Sequence, residues 1–470
     1  MEVKEVRDEI KNNLLESYYE FFNVFWKFVS DETLIDSKHI KLICDELNYL
    51  GIKIINREKP DYDWLIINVP PGSSKSTMVS IIWGAWLLAH DPSLFIINSS
   101  YSGDLSDGFV RKCKRIIDSE LFIYLFGKIE FSKETESFFE TTKGGGRYAT
   151  STGGTIVGIH GNVLISDDPL SVEQSYSKAA RDRANRFLTS TLPERVRNKL
   201  ITPIVLVMQR LHEDDPTGHL ISKGANIKHI CLPAELGNNT TKGLEYIYTD
   251  NLLDPIRIGI EVIEKKKKEL GSFGYAGQYD QNPHPEGGGK IKGSWFERIH
   301  EKELPSGITW DMWIDGAYTQ STKNDPTGLM ICGLHQNTLF IRHAKCKFME
   351  MPELLKDVEL YANDFGFDGN SIEYIEPKAS GKSLKQMLKQ QSLKLNPVEI
   401  KSGLVNEGKS ARMNVASPKV EAGRVCLVTG AWNEEFIQQL EGFPTAKHDE
   451  YVDLLGYACE HYLINTFFAL

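Results

Sequence analysis

The sequence has no uninterrupted apolar run long enough to span a bilayer, and its acidic, polar N-terminus lacks a signal peptide. It has no C-x-x-C pair either, and its cysteines are odd in number and scattered, at positions 44, 113, 231, 332, 346, 426 and 459. These absences argue against a membrane protein, a disulfide-rich secreted domain and a structural zinc site. They favour an intracellular protein with reduced thiols.

Positive charge is also in short supply, because 54 Lys and Arg face 64 Asp and Glu and give a formal net charge of −10. This balance argues against a protein that coats nucleic acid through bulk charge, but it leaves room for a DNA enzyme with local basic surfaces. Basic clusters occur at 178–186, 195–199 and 265–268, and each alone is typical of a solvated helix face. The length of 470 residues exceeds one ordinary core and predicts two or three domains.

Short apolar runs without polar alternation predict buried strands of a parallel α/β sheet. They occur at 64–69, 94–100, 163–167 and 204–209, after helically spaced apolar residues over 1–50. A stretch dense in proline and glycine at 281–295 precedes a second α/β pattern, which opens with three closely spaced strands and closes with a helix from about Tyr451. We therefore expect an α/β protein with four parts: an N-terminal helical segment over 1–55, a first domain over 56–285, a linker over 286–305 and a second domain over 306–470.

Glycine is missing where a phosphate-binding loop would need it. The stretch "NVPPGSSKST" approaches the pattern G-x-x-x-x-G-K-[ST], but Val69 and Ser74 occupy its two glycine positions. The context still fits, because a strand precedes the loop and an apolar helix follows it. Backbone N–H groups at such a helix start attract phosphate, Lys75 adds a charge and the Ser76 hydroxyl is a Mg²⁺ ligand. The alternative is a serine-rich turn. The residues expected to bind a nucleotide are Gly72, Ser73, Ser74, Lys75, Ser76 and Thr77.

Two adjacent carboxylates, Asp167 and Asp168, follow an apolar strand in "VLISDDP". An ATPase needs one carboxylate for the Mg²⁺ shell and another to orient the attacking water, and this pair supplies both. For either aspartate alone, a helix cap or a turn before Pro169 is a real alternative. The pair after a strand, downstream of a candidate phosphate loop, favours the ATPase interpretation.

Carboxylates also mark the elements of the second region. Asp315 lies in mid-strand in "WIDGAY", and Glu376 ends a strand in "SIEYIEP". The stretch "KHDEYVD" places Asp449 and Glu450 at the start of the last helix, with Asp453 one turn later. A two-metal phosphodiester hydrolase needs three or four converging carboxylates. Taken singly, each of these acids is better explained as a helix-terminal or strand-end residue.

Several stretches follow one another as they do in the large terminase subunits of tailed bacteriophages, which package viral DNA into a preformed capsid. They are "PPGSSKST", "STGGTIVGIHGNVLISDDP", "VMQRLHEDDPTGHL", "LPAE" and "FGYAGQYDQNPHPEGG". The sequence resembles these proteins over nearly its whole length, and "GQYDQNP" and "RLHEDDPTG" are its most diagnostic parts. The resemblance implies an N-terminal P-loop ATPase domain of the ASCE type, built on a parallel sheet, and a C-terminal RNase H-like nuclease domain.

For the motor, the resemblance implies that ATP and Mg²⁺ are bound by the loop together with Asp167, and that Lys75 and Asp168 act in hydrolysis. Gln209 ends the strand that follows and occupies the position that couples loss of the γ-phosphate to movement. Arg147 is the candidate arginine finger. Arg210 is the second choice for that role, and an ordinary ion-pair arginine is the alternative explanation for both.

For the nuclease, the resemblance assigns the metals, Mg²⁺ or Mn²⁺, to Asp315, Glu376 and Asp449, with Asp453 as a fourth ligand and Glu450 as the weakest candidate. An intact Gly-Lys-Ser follows Glu376 in "PKASGKSLKQ" and competes with the first loop as a phosphate site. Because it follows a metal-binding strand, we expect its lysines, at 378, 382 and 385, to contact the DNA backbone rather than ATP.

As a whole, the resemblance implies ATP-driven translocation of double-stranded viral DNA and cutting of concatemeric DNA. The partners it implies are DNA, the portal of the procapsid, a small terminase subunit and further copies in a five-membered ring, with a monomer in solution left open and no membrane. The location it implies is the host cytoplasm, with transient docking on the procapsid. The alternatives are another ATP-dependent nucleic-acid machine, such as a helicase-nuclease, and a non-hydrolysing assembly module with a degenerate loop.

Overall fold

The structure, a computed structural model, describes residues 2–154, 156, 158–283, 291–316, 326–377, 379–391, 395–406, 408–444, 446 and 448–464. The chain forms two compact units. The first comprises Met1–Lys265 and Gly274–His284, and the second comprises Lys266–Phe273 and Pro285–Leu470. In the described part of the chain, no helix combines the length and the apolar character that crossing a bilayer requires.

The first unit begins with three helices whose apolar side chains recur at helical spacing: α1 (Glu2–Glu16), α2 (Tyr18–Phe25) and α3 (Lys38–Ile55). Their buried faces pack on a fourth helix through two tryptophans. The indole of Trp83 donates to the Leu47 carbonyl at 3.1 Å, and that of Trp86 donates to the Leu14 carbonyl at 3.0 Å. Since both indoles are fully buried, these bonds fix the N-terminal helices against the core of the unit.

An eight-stranded sheet forms the centre of the first unit, in the order β3-β4-β5-β2-β6-β7-β1-β8. The run from β5 to β8 is parallel, and β3 and β4 add an antiparallel edge. The four apolar runs predicted from the sequence are strands β1, β2, β6 and β7, and every residue in them is buried. The strands are β1 (Trp64–Asn68), β2 (Phe95–Ser100), β3 (Phe131–Glu134), β4 (Phe138–Thr141), β5 (Gly146–Ser151), β6 (Val163–Asp167), β7 (Ile204–Met208) and β8 (Ile227–Cys231).

Helices connect these strands, and apolar cores lie on both faces of the sheet. A wide π-type turn, Thr77–Ile82, leads from the phosphate-loop candidate directly into α4. The helices are α4 (Trp83–His90), α5 (Gly103–Ile117), α6 (Glu120–Phe126), α7 (Val172–Ser175), α8 (Lys178–Arg186), α9 (Pro216–Ser222) and α10 (Ile260–Gln278), whose residues Lys266–Phe273 belong to the second unit, with short helical turns at Trp26–Phe28, Phe187–Thr191, Leu192–Arg195 and Glu245–Ile247.

The second unit contains a seven-stranded sheet in the order β14-β13-β10-β11-β12-β15-β9. Its centre, β10 to β12, is an antiparallel meander, and the outer pairs are parallel. The meander and the closing helix confirm the sequence prediction for this region. The elements are β9 (Glu297–Ile299), β10 (Asp311–Asp315), β11 (Thr327–His335), β12 (Thr338–Lys347), α11 (Met351–Asp364), β13 (Glu373–Ile375), α12 (Ala379–Gln391), β14 (Pro397–Glu399), α13 (Lys409–Glu421), β15 (Val425–Val428), α14 (Trp432–Gly442) and α15 (Glu450–Leu463). The predicted α/β class is confirmed in both units.

Candidate nucleotide and metal sites

The phosphate-loop candidate leaves β1 and turns tightly before the helix. Gly72 has φ +82° and Ser74 has φ +62°, both in the left-handed region that favours glycine. The sequence pattern asks for glycine at position 74, and the backbone there has the conformation that glycine would provide. Ser73 ties the loop down, because its hydroxyl donates to the Pro70 carbonyl at 2.8 Å and its own carbonyl accepts from His39 Nε2 at 3.2 Å.

The lysine and serine of the loop meet the aspartate pair. Lys75 Nζ lies 2.9 Å from Asp168 Oδ2, and the Ser76 hydroxyl donates to Asp167 Oδ1 at 3.0 Å. Burial alone would lower the pKa of Lys75, but the charges of Asp168 and Asp167 outweigh it and raise that pKa. Burial and the neighbouring charge of Asp168 raise the pKa of Asp167 to about 7. The negative charge of the two aspartates is therefore only partly compensated by Lys75.

The sheet topology explains this meeting. Strand β7 lies between β1 and β6, and all three are parallel, so their carboxyl ends share one edge. Gln209, directly after β7, lies at the same edge. Within the described residues, Asp167 Oδ2, Asp168 Oδ1 and Gln209 Oε1 are buried without a hydrogen-bond partner. Because Mg²⁺ prefers oxygen ligands, the unpartnered Asp167 Oδ2 and the neighbouring Ser76 hydroxyl fit a magnesium ion.

Neither predicted finger arginine is placed to act as one. Arg147, in β5, is fully buried, and its guanidinium donates to the Ser80 carbonyl and, at 2.7 Å, to Asn98 Oδ1. Arg210 pairs with the buried Asp215 at 2.9 Å, at the start of α9. A guanidinium locked inside the core cannot extend to a neighbouring subunit. The finger role proposed for Arg147 is therefore corrected to a structural one.

A different arginine, Arg257, contacts the loop, and it was not predicted from the sequence. Arg257 Nη1 donates to the Ser74 hydroxyl at 2.6 Å, and Arg257 Nε donates to Asp254 Oδ2 at 2.6 Å. No motif links residues 183 positions apart, so only the fold brings them together. The sequence feature that could have indicated such a contact is Ser74, a serine at a position where the loop pattern has glycine.

In the second unit, two predicted acids stand side by side on neighbouring strands. Strands β10 and β13 are parallel, Ile314 is opposite Ile375, and the Glu376 amide donates to the Ile314 carbonyl at 3.1 Å. Asp315 and Glu376 therefore leave the same edge of the sheet. The phenol of Tyr457, in α15, donates to Glu376 Oε1 at 2.8 Å and links this edge to the last helix.

Two cations from α13 lie among the acids. Lys409 pairs with Asp449 and, at 3.3 Å, with Asp453. Arg412, one turn later, lies 2.7 Å from Asp453 Oδ1 and 3.7 Å from Glu376 Oε1. Burial alone would lower the pKa of Lys409, but Asp453, Asp449 and also Asp315 raise it.

The predicted ligands are thus assembled around two positive side chains. In the part of the chain that the structure describes, no group of three or more His, Cys, Asp or Glu forms a ready metal cage. The donor chemistry still fits a divalent metal, since Asp453 and Glu376 are buried carboxylates. The metal-binding role of these acids remains a prediction.

Two further predictions concern neighbouring residues. Glu450 is buried and lies toward β11 and β12, with its carboxylate 4.0 Å from Cys346 Sγ. The intact Gly-Lys-Ser begins helix α12, where a Cβ on Gly381 would lie 2.0 Å from the Glu376 carbonyl oxygen, so this glycine allows close packing of helix on strand. Lys378 lies outside the described residues, Lys382 is exposed, and Lys385 pairs with Glu399 at 3.1 Å.

Comparisons with known proteins bear on both units. The family model "Terminase RNaseH-like domain" matches residues 371–461. No curated protein matches the sequence. Among solved structures, the large terminase of a thermophilic bacteriophage in complex with ADP is similar at 12% identity and a TM-score of 0.48, over 88% of this chain and 99% of that one.

Two other solved structures are similar. The HK97 bacteriophage large terminase matches at 12% identity and a TM-score of 0.35, over 95% of this chain and 100% of that one. The large terminase nuclease of the thermophilic phage G20c with bound magnesium matches at 14% identity and a TM-score of 0.28, over 38% of this chain and 97% of that one. The family match lies on the part of the second unit that carries Glu376, Asp449 and Asp453, and it supports the resemblance to large terminase subunits, since residues 371–461 are similar to a terminase RNase H-like domain.

Proposed function

We propose that this chain is the large subunit of a terminase, which translocates double-stranded viral DNA by hydrolysing ATP and cuts that DNA with a metal-dependent nuclease. The observation that carries the proposal is the meeting of Lys75 and Ser76 with Asp168 and Asp167 at one edge of a parallel sheet. In this proposal the first domain, over 56–285, is the motor, and the second, over 306–470, is the nuclease.

In the motor, the backbone N–H groups at the start of the helical turn bind the phosphates and Lys75 neutralises part of their charge. Ser76 and Asp167 hold a magnesium ion, which supplies charge stabilisation to the phosphates when bound. Asp168 accepts a hydrogen bond from the attacking water and orients it. Before nucleotide binds, Lys75 and Asp168 neutralise each other, so binding must redirect the Lys75 ammonium from the carboxylate to the phosphates.

In the nuclease, Asp315, Glu376, Asp449 and Asp453 would hold divalent metal, which would supply activation of water and charge stabilisation of the leaving oxygen. Without metal, the positive charges of Lys409 and Arg412 stabilise the cluster of carboxylates. Lys409, which pairs with Asp449 and Asp453, would also be the nearest cation of α13 to a DNA phosphate at this site. Lys382, exposed on α12 next to this edge, is a further phosphate contact.

The proposed partners follow from the family. They are duplex viral DNA, the portal of a procapsid, a small terminase subunit that selects the DNA, and further copies of this chain in a ring of five. The proposed location is the host cytoplasm, with transient docking on the procapsid. The net charge of −10 suits a protein that grips DNA through local surfaces and releases it in each cycle.

Two variants test the two activities separately on the purified full chain. We expect Lys75→Ala to lower Mg²⁺-dependent ATP hydrolysis by on the order of 100-fold or more, because a positioned charge on the reacting phosphates is removed. We expect Asp315→Ala to abolish cutting of plasmid DNA and to leave ATP hydrolysis intact. Lys128→Ala, at an exposed lysine paired with Glu130, is the matched control.

The outcomes separate the proposal from its competitors. Equal ATP hydrolysis by wild type and Lys75→Ala would favour a non-hydrolysing assembly module. Separation of DNA strands by the purified protein would favour a helicase-nuclease. Loss of both activities in Asp315→Ala, with the fold intact by circular dichroism, would contradict the division into two sites.

A further inference from the structure

Arg257 joins the phosphate loop to the segment that precedes α10. We propose that Arg257 binds the phosphates of the nucleotide and that it does so while holding Ser74, so that the serine at this glycine position becomes part of the binding device. The inference rests on the proposed ATPase function and goes beyond it, because neither the sequence pattern nor the family match assigns a role to Arg257 or Asp254, and the pattern gives Ser74 only a place in the loop.

Three contacts to a single carboxylate fix the start of the Arg257 side chain. Asp254 is fully buried, and its Oδ1 accepts the amides of Ile256 at 3.2 Å and Arg257 at 3.0 Å. Its Oδ2 accepts Arg257 Nε at 2.6 Å. A guanidinium held in this way is pre-organised, so little rotamer entropy remains to be lost when it binds a ligand.

Of the two terminal nitrogens of the guanidinium, one donates a hydrogen bond to the loop and the other has no partner among the described residues. Nη1 donates to the Ser74 hydroxyl at 2.6 Å. Nη2 is buried and has no hydrogen-bond partner among the described residues. A buried, charged N–H group without a partner destabilises the fold, and an anion bound beside the loop would remove that cost. A phosphate oxygen is such an anion, and Arg is suited to bind it.

Ser74 explains why the arginine is needed. Its φ of +62° lies in the left-handed region, which is less favourable for a residue with a side chain than for glycine. The hydrogen bond from Arg257 offsets this cost and fixes the serine in the conformation that presents the following amides to phosphate. A glycine in this place would adopt the same conformation without help, so the arginine would then contribute only its direct contact.

The other side of the loop adds no competing charge. His39 donates to the Ser73 carbonyl at 3.2 Å and is fully buried. Burial lowers its pKa to about 4, and the nearby charge of Arg257 lowers it as well, so the imidazole is neutral at physiological pH. The positive charges that flank the loop are therefore Lys75 and Arg257.

The test measures ADP and ATP affinity of the full chain by isothermal titration calorimetry, in wild type and in Arg257→Ala, Arg257→Lys and Ser74→Gly. We expect Arg257→Ala to weaken ADP binding by about tenfold or more, as for loss of a charge-assisted hydrogen bond. We expect Arg257→Lys to recover only part of that loss, because an ammonium cannot hold Asp254, Ser74 and a phosphate together. Arg57→Ala, at an exposed arginine paired with Asp91, is the control for lost charge alone.

The coupling is read from the double variant. We expect Arg257→Ala to cost several-fold less affinity in the Ser74→Gly background than in wild type, since glycine no longer needs the hydrogen bond. Equal losses in both backgrounds would overturn the role of Ser74. Unchanged ADP and ATP affinity in folded Arg257→Ala and Arg257→Lys would overturn the inference, provided that wild type binds and Lys75→Ala does not. Absence of nucleotide binding in wild type would instead refute the proposed ATPase.

Discussion

The strongest electrostatic prediction concerns Arg412, which lies between two buried acids of the second unit. Its side chain is 5% exposed, and those of Asp453 and Glu376 are 0% and 2% exposed. Burial alone would lower the pKa of Arg412, but the charges of Asp453 and Glu376 and the hydrogen bond to Asp453 outweigh it and raise that pKa, so the two acids favour the charged guanidinium in the folded state. Arg412→Ala therefore removes the guanidinium from both carboxylates and leaves Asp453 with Lys409 alone, at 3.3 Å.

The size of the effect follows from these contacts. Removal of one partner from a buried ion pair costs about 3–5 kcal/mol. The guanidinium also lies 4.7 Å from the centre of the Tyr457 ring, a cation–π contact worth about 0.5–2 kcal/mol. For a unit of this size each kcal/mol corresponds to about 2–4 °C in Tm, so the ion pair alone predicts a fall of about 6–20 °C in the melting transition of the second unit, and loss of the cation–π contact adds to it.

The assay is differential scanning calorimetry of the full chain in EDTA and in excess MgCl2 or MnCl2. A divalent cation that binds Asp453 and Glu376 replaces the missing charge, so we expect the metal to return part of the lost Tm and to stabilise Arg412→Ala more than wild type. Arg298→Ala, at an exposed arginine of β9, is the control and should change little. A fall below about 1 °C would refute the buried pairing, and equal losses with and without metal would refute metal binding by these acids.

Three other perturbations follow from the first unit, each measured by thermal or denaturant unfolding. Arg147→Met should destabilise the fold by about 1–3 kcal/mol through the unsatisfied Ser80 carbonyl, and a finger role would instead leave stability unchanged and abolish ATP hydrolysis. Gly146→Ala should lower the free energy of unfolding by about 2–4 kcal/mol, because a Cβ at φ +153° would lie 2.2 Å from the Phe139 carbonyl oxygen. An unchanged stability would mean that β4 and β5 are not paired this closely. His39 has a folded pKa of about 4 against 6.5 when unfolded, so the contribution of its neutral imidazole to the free energy of unfolding is intact above pH 6.5 and is lost as the pH falls toward 4. His39→Gln should therefore lose less stability than wild type over that pH range. Parallel plots of stability against pH for the two proteins would contradict the burial of His39.

Predictions based on periodicity and on local pattern were confirmed where local rules decide the outcome. The apolar runs became β1, β2, β6 and β7, because an uninterrupted run of β-branched residues is stable only where both faces of a strand are covered. The meander of β10 to β12 and the last helix follow from alternation, turn residues and helical spacing in the same way. The edge at which Asp167 and Asp168 lie was also predictable, since parallel strands after a phosphate loop place their carboxyl ends together.

The arginines show where this reasoning fails. From the sequence, Arg147 was the first candidate for the finger and Arg210 the second, with an ordinary ion-pair arginine as the alternative for both, and Arg257 had no predicted role. Arg147 proved to be buried in the core and Arg210 to be paired at the start of a helix, whereas Arg257 reaches Ser74. A long charged side chain finds its partner across the fold, and that partner is invisible to any local pattern.

The sequence alone determined which segments are strands and helices, where the acids sit on them, and which family the motifs resemble, because backbone preference, burial and spacing are encoded within a few residues. Only the tertiary structure decided which charges meet. It brought Arg257 into contact with the phosphate loop and buried Arg147 in the core of the first unit. It also placed Lys409 and Arg412 among the acids of the second unit. The reason is physical: the energy of a charge depends on its distance from other charges and on its burial, and both are properties of the whole fold.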